Sequence, residues 1–323
     1  MVSGVPELHA RVLITGAGGF IGRHLAVRLS QAGASVYAGV APNEARQQSA
    51  MLPPLVHTLA FDIRDPAAVR AAVEESAPEL VFHLAAVGVT DQAVEPSLAL
   101  AVNVGGVLNL LEALKGRPGL RRVVLTGSSY EYGARETTEG LDPFNVYSAS
   151  KVAAWAFGRA CWREHGLPVV TVRPFQVYGP GQPFHTLIPA AIRAALSGED
   201  FPMTQGEQER DFIYVDDLVE GVLAVARAEG IEGQSLDLGT GQVHKVRQVV
   251  EHIWALTSAK GRILVGALPY RPATVMSLRA AADRTASLTG WRARIRLYEV
   301  GLPRTIAWLE GVLRGERSWP VAW

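Results

Sequence analysis

Short runs rich in valine, isoleucine and leucine recur through the first half of the chain, at residues 12–15, 36–40, 56–61, 80–83, 123–126 and 169–172. Between them lie longer stretches in which apolar residues return every three or four positions, at 68–75, 98–114 and 147–162. The first pattern is that of buried strands, the second that of helices packed by one face. Strands that alternate with helices cross over in one hand, so the pattern predicts an α/β fold with a doubly wound parallel sheet. Ligands on such a sheet lie beyond the carboxyl ends of the strands.

After about residue 175 the pattern changes. Glycine and proline crowd the run 178–183, a helical period follows at 187–196, and strand character returns at 235–238. We assign residues 1–10 to a tail, 11–175 with about 213–240 to the sheet domain, and 176–212 with about 241–323 to a smaller interleaved lobe. The last of these strands is expected back on the main sheet, with a cleft between the two lobes.

Composition narrows the class. The 31 basic and 31 acidic residues cancel, so no global field draws the chain to nucleic acid or to an anionic membrane. The single cysteine, Cys161, excludes a disulfide framework and argues against zinc, so no metal is expected. Residues 1–10 lack signal-peptide features, and no run approaches the eighteen or more apolar residues of a membrane span. The expectation is a cytoplasmic enzyme without a membrane partner.

Two clusters carry chemistry. The first strand runs into Gly16-Ala17-Gly18-Gly19-Phe20-Ile21-Gly22 and then an amphipathic helix with Ile21, Leu25, Val27 and Leu29 on its apolar positions. Gly16 permits a tight turn, Gly19 lets backbone N–H groups approach a pyrophosphate, and Gly22 lets the helix pack on the strand, the layout of a Rossmann dinucleotide site. Farther on, Tyr147 and Lys151 stand one helical turn apart, and Ser128 and Ser129 end an apolar run upstream. At this spacing phenol and ammonium share a face, so the ammonium is expected to pull the tyrosine pKa down and make it an acid and base.

Taken together, these residues resemble the extended short-chain dehydrogenase/reductase enzymes that act on nucleotide sugars, from about Arg11 to Trp308. The resemblance rests on Thr15 to Gly22, Asp62-Ile63-Arg64-Asp65, His83-Leu84-Ala85-Ala86, Asn103-Val104-Gly105-Gly106, Gly127-Ser128-Ser129-Tyr130-Glu131-Tyr132-Gly133, the Tyr147/Lys151 pair, Arg173-Pro174-Phe175-Gln176-Val177-Tyr178-Gly179-Pro180 and Arg210-Asp211-Phe212-Ile213-Tyr214-Val215-Asp216-Asp217. It implies Tyr147 as acid/base, Lys151 on the nicotinamide ribose, and Ser128, five residues before Gly133, on the substrate oxygen. It implies cofactor contacts from Gly16, Gly19, Phe20, Ile21, Gly22, Asp62, Ile63, Leu84, Ala85, Ala86 and Pro174, with Asn103 bracing the active-site helix. Ser129, Gln176, Arg210 and Arg271 are implied on the substrate, the two arginines on its diphosphate; Asn is usual where Gln176 stands. The plainer readings are an acidic N-cap for Asp62 and a satisfied core histidine for His83, and the second is preferred.

The reaction is narrowed by what is missing. Dehydratases of this family follow the catalytic hydroxyl with Asp and Glu; here Ser129 and Tyr130 stand there, against 4,6-dehydration. At the end of the second strand NAD enzymes usually carry an acid for the ribose 2′-OH; here the run is Val36-Tyr37-Ala38-Gly39-Val40-Ala41, and Arg46 follows where it could meet a 2′-phosphate or be an ordinary surface residue. NADP(H) is therefore favoured, with NAD possible. The stretches 204–208, 266–276 and 289–291 resemble 4-ketoreductases of the CDP-abequose synthase type. The resemblance thus implies reduction of an NDP-4-keto-6-deoxy sugar at C4. An NAD-dependent NDP-sugar 4-epimerase stays open, as does a non-catalytic dinucleotide-sensing regulator. It also implies a homodimer through a four-helix bundle made by the helices at 98–114 and 147–162.

Overall fold

The computed structural model describes residues 9–90, 94–133, 140–271 and 274–316. Its central sheet contains β1 (Arg11–Thr15), β2 (Ser35–Val40), β3 (His57–Ala60), β4 (Leu80–His83), β5 (Arg122–Thr126), β6 (Val169–Pro174) and a seventh strand at Ser235–Leu238, all parallel. The order across the sheet is β3, β2, β1, β4, β5, β6 and the seventh strand. From β1 the chain winds outward through β2 and β3, then returns to β4 on β1's other side. The connections after β1 and β4 therefore diverge and leave a crevice at the carboxyl edge between them.

The strands alternate as buried strands must. Val12 and Ile14 face a core shared with Leu25 and Leu29 of the Phe20–Gln31 helix and Leu218 and Val222 of the Val215–Arg227 helix. Leu13 faces the opposite core, with Val81, Val123 and the inner side of the Pro96–Leu114 helix. Each such side chain contributes about 1.5–3 kcal/mol on full burial, so both faces of the sheet are fixed well before its carboxyl edge is considered.

The Pro96–Leu114 helix corrects one expectation. It has 19 residues and a mean hydropathy of 1.6, long and apolar enough to cross a membrane by those measures alone. Val107, Leu110, Leu111 and Leu114 are instead buried against the sheet. Between Leu100 and Gly105 the helix opens into a π turn. The helix predicted at 68–75 starts earlier, at Pro66, because the Asp65 side chain accepts from the Ala67 and Ala68 N–H groups at 2.8 and 3.3 Å. The N-cap is thus Asp65, not Asp62.

A second core gathers Tyr178, Ile192, Phe212, Val250, Leu302 and Trp308 from the later segments. Gln176–Tyr178 pairs with Phe212–Tyr214, and Glu209–Arg210 lies between His244–Lys245 and Ser277–Leu278. The first helix is tied to this lobe directly. Arg23 donates to the Gly181 carbonyl at 3.2 Å, and the His24 ring lies 2.8 Å from the Pro180 carbonyl oxygen.

Candidate active site

The crevice is walled by the glycine bend on one side and the turn after β4 on the other. Gly16 has φ +69°, and a Cβ there would come within 2.6 Å of the Ala85 nitrogen. A Cβ on Gly22 would meet the Gly16 carbonyl oxygen. These two glycines are therefore demanded by close backbone approach. Leu84 N donates to Thr15 O at 3.0 Å and Ala85 N to Thr15 Oγ1 at 3.4 Å, fastening the second wall to the first. Gly19 caps the Phe20–Gln31 helix without a side-chain hydrogen bond. The bend, the tight packing and the uncapped helix N-terminus suit the diphosphate of a dinucleotide.

The Val146–His165 helix starts with a reciprocal cap: Asn145 Oδ1 accepts from Ser148 N at 2.8 Å, and Ser148 Oγ accepts from Asn145 N at 3.1 Å. This places Tyr147 in the first turn and Lys151 one turn on. The Ser128 side chain is near enough to the Tyr147 phenol to favour its ionisation, and Lys151 Nζ donates to Thr126 O at 2.8 Å. Asn103, turned inward by the π turn, accepts from Val87 N at 2.9 Å and donates to Val87 O at 3.0 Å and Ser150 Oγ at 2.9 Å. One buried amide thus joins the turn after β4 to the helix that carries Tyr147.

Behind Ser128 stands a pair that the sequence reading did not assign. Glu131, fully buried, accepts from Ser128 N at 2.7 Å and from Arg173 Nε at 2.7 Å. The spacing Ser128-x-x-Glu131 is a capping-box signature, so half of this arrangement was visible locally. Arg173, on β6, was not.

The electrostatics correct the expected tyrosine shift. Burial pushes the Tyr147 phenol well above its ordinary pKa, opposed by the Ser128 side chain. The Lys151 ammonium reaches past the ring, 5.9 Å from its centroid, to the Thr126 carbonyl. Burial lowers Lys151 itself to about 8, while Glu131 acts to raise it. His83 is driven to about 3 by burial and by the Lys151 charge. Its Nδ1 pairs with Thr15 Oγ1 at 2.7 Å, but Nε2 has no partner, so it is a satisfied core histidine at one nitrogen only.

The remaining residues spread around this centre. Ile63 is buried beneath the Pro96–Leu114 helix, whose Asn109 donates to the Ile63 carbonyl at 3.0 Å. Asp62 is held by Arg64, which keeps its carboxyl below the usual range. Phe20 and Ile21, half-buried, open the first helix; Ala86 follows the β4 turn, and Pro174 ends β6 opposite Leu238. Arg46 is exposed on the short Ala45–Ser49 helix, and the neighbouring Gln48 side chain lies against Gly18. Ser129 is buried, and Gln176 N donates to Asp211 O at 2.9 Å. Arg210 donates to Val275 O at 2.6 Å and Glu209 O at 2.7 Å, and the nearby Tyr130 phenol partly offsets the effect of burial on it. Arg271 is exposed beside residues outside the described set.

The sequence profile of the NAD dependent epimerase/dehydratase family matches residues 12–239, from β1 through the seventh strand of the sheet. The chain belongs to this family. Among its relatives, a UDP-N-acetyl-alpha-D-glucosaminuronate decarboxylase of Bacillus cytotoxicus is 29% identical, over 94% of this chain and 98% of its own. A UDP-glucose 4-epimerase of Streptomyces lividans is 32% identical, over 77% of this chain and 82% of its own. The solved structure of MoeE5 with UDP-glucuronic acid and NAD is 31% identical, with a TM-score of 0.83 over 93% of this chain and 99% of that one. The chain is thus a member of an enzyme family whose named activities are on nucleotide sugars, and its extended short-chain dehydrogenase/reductase resemblance and Rossmann-like sheet agree with that membership.

Proposed function

We propose that the protein is an NAD(P)-dependent nucleotide-sugar oxidoreductase that reduces an NDP-4-keto-6-deoxy sugar at C4. The observation that carries this reading is the buried gathering of Tyr147, Ser128 and Lys151 at the sheet's crevice. Gly16, Gly19, Gly22 and the Leu84–Ala85–Ala86 turn hold the dinucleotide, with Asp62 and Ile63 toward its adenine end. Bound there, the nicotinamide cofactor supplies hydride chemistry. Ser128 donates a hydrogen bond to the sugar oxygen and stabilises developing negative charge there, a contribution of about 3 kcal/mol for one such donor. Tyr147, kept protonated by burial, gives its proton to that oxygen as the alcohol forms, and Lys151 lies on the ribose side of the same pocket. Asn103 holds the helix in place, and Arg210 and Arg271 bind the diphosphate. Ser129 and Gln176 line the sugar side.

NADPH is the preferred cofactor in this reading, supported by a β2 end without an acid and by exposed Arg46 beyond it. The similarity to the Streptomyces 4-epimerase and to NAD-bound MoeE5 supports a second reading, a 4-epimerase with retained NAD. A homodimer is supported by Leu98, Leu100, Leu108 and Phe157, exposed apolar side chains on the two helices expected to make the bundle. The deciding experiment incubates the purified chain with NDP-sugars and NDP-4-keto sugars, with and without NADPH or NADH, and identifies products by NMR. Stoichiometric NADPH oxidation with a C4 alcohol as product is the expected result. Interconversion of C4 epimers without added cofactor establishes the second reading instead.

A further inference from the structure

On the far side of the Glu131–Arg173 pair from Ser128 lies a cavity of about 660 Å³, between the Val146–His165 helix and the edge strand Ser235–Leu238. Its size is that of a small-molecule site. Three guanidiniums line it, Arg159, Arg173 and Arg284, together with the rings of Trp155, Trp162 and Tyr132.

Of the three guanidiniums, Arg284 is engaged, donating to Ser235 O at 2.6 Å and Gln234 Oε1 at 2.7 Å; the other two are less fully used. Arg173 is 4% exposed; its Nε goes to Glu131 and its Nη1 lies 3.4 Å from the Tyr132 hydroxyl, but its Nη2 has no hydrogen-bond partner. The buried Trp155 Nε1 also has none. Among the described residues Arg159 has no carboxylate partner, and its guanidinium sits 5.8 Å over the Trp155 ring. Both of these atoms are shielded from solvent by the wall itself, so the guanidinium left to meet an occupant directly is that of half-buried Arg159.

The two carboxylates in the lining are already engaged. Glu232 pairs with Arg122 at 2.7 Å, and Asp237 accepts from the Tyr132 hydroxyl at 2.6 Å and from Ala281 N at 3.0 Å. The excess at the surface is therefore cationic and aromatic. Guanidinium groups match a dianionic phosphate, and flat indoles match a planar ring.

We propose that this cavity is a second binding site, separate from the crevice, for a small planar molecule bearing a phosphate group. Nucleotides and simple aryl phosphates share that chemistry. The Arg173 guanidinium at the cavity wall also holds Glu131, and Glu131 holds the Ser128 backbone, so the site lies two side chains from Ser128.

The test is titration calorimetry of the full chain, without added dinucleotide, using phenyl phosphate, uridine 5′-monophosphate and inorganic phosphate as probes. Phenyl phosphate is expected to bind saturably below about 1 mM, and at least about tenfold more tightly than inorganic phosphate. Arg159→Ala should weaken it by about tenfold without lowering the melting temperature, whereas Arg210→Ala should leave it unchanged. Comparable binding of uridine 5′-monophosphate, with the same sensitivity to Arg159→Ala, places nucleotides among the natural ligands; phenyl phosphate binding alone restricts the site to smaller aryl phosphates. Binding lost in Arg210→Ala but kept in Arg159→Ala, equal affinity for inorganic phosphate, or no phenyl phosphate binding would overturn the proposal. None of these outcomes depends on which sugar reaction the crevice performs.

Discussion

At the scale of single residues, the centre is built by burial rather than by one pairwise attraction. Tyr147 stays protonated because its surroundings disfavour the phenolate, and Lys151 sits near neutrality because its ammonium is costly to bury. Tyr147→Phe removes the proton and little else. Turnover should fall by at least about 100-fold while cofactor affinity, read by fluorescence titration, stays within a factor of two or so of the original; unchanged turnover would exclude Tyr147 as the acid. Lys151 sets a pH limit. Its ammonium form exists below about 8 in the folded protein, against an ordinary 10.5, so turnover that needs the charge declines as pH rises through about 8. Between those two values the unfolded chain binds more protons than the folded one, so this residue's contribution to stability grows with pH there and is constant below it. Lys151→Arg keeps its charge throughout and should move the basic limb of the pH–rate profile upward; a limb that stays at the same pH belongs to another group.

At the scale of elements, the π turn inside the Pro96–Leu114 helix is the most informative irregularity. A π turn accommodates one residue more than an α-helix does, and this one presents Asn103 to Val87 and Ser150. Deleting exposed Ala101 should restore regular helix, leave both flanking segments packed on the same face, and keep the melting temperature at or above that of the parent. Turnover should drop by about tenfold or more as the brace between the β4 turn and the Tyr147 helix is lost, a separation of stability from activity. A variant that keeps full turnover would show that the brace is dispensable. Much around this irregularity was legible in the sequence. The strands, the glycine bend and the Tyr147 helix came from periodicity and spacing, because both are local. What escaped depends on partners far along the chain: Arg173 reaches Glu131 across 42 positions, and Lys151 reaches Thr126 across 25. Asp65 as the N-cap of the third helix also escaped, because Asp62 and Asp65 look alike until their backbone is fixed. The tyrosine shift had the wrong sign because spacing shows neighbours on a helix but not the depth at which they lie.

At the scale of the whole molecule, two surfaces remain to be matched. The exposed apolar residues on the Pro96–Leu114 and Val146–His165 helices predict a dimer, and light scattering at about micromolar concentration, where interfaces of ordinary affinity are occupied, should give twice the 34.7 kDa chain mass. A mass of one chain would refute it. The other feature is internal. Arg23 and His24 of the first helix grip the carbonyls of Gly181 and Pro180, so the helix that opens at the glycine bend is fastened to the segment that opens the smaller lobe. Any rearrangement of one lobe is thereby felt by the other, and thermodynamic reciprocity then requires that each ligand alter the other's affinity by the same factor. Loading either first should give the same cooperativity, and replacing His24 by alanine should shrink that common factor while changing the individual affinities far less.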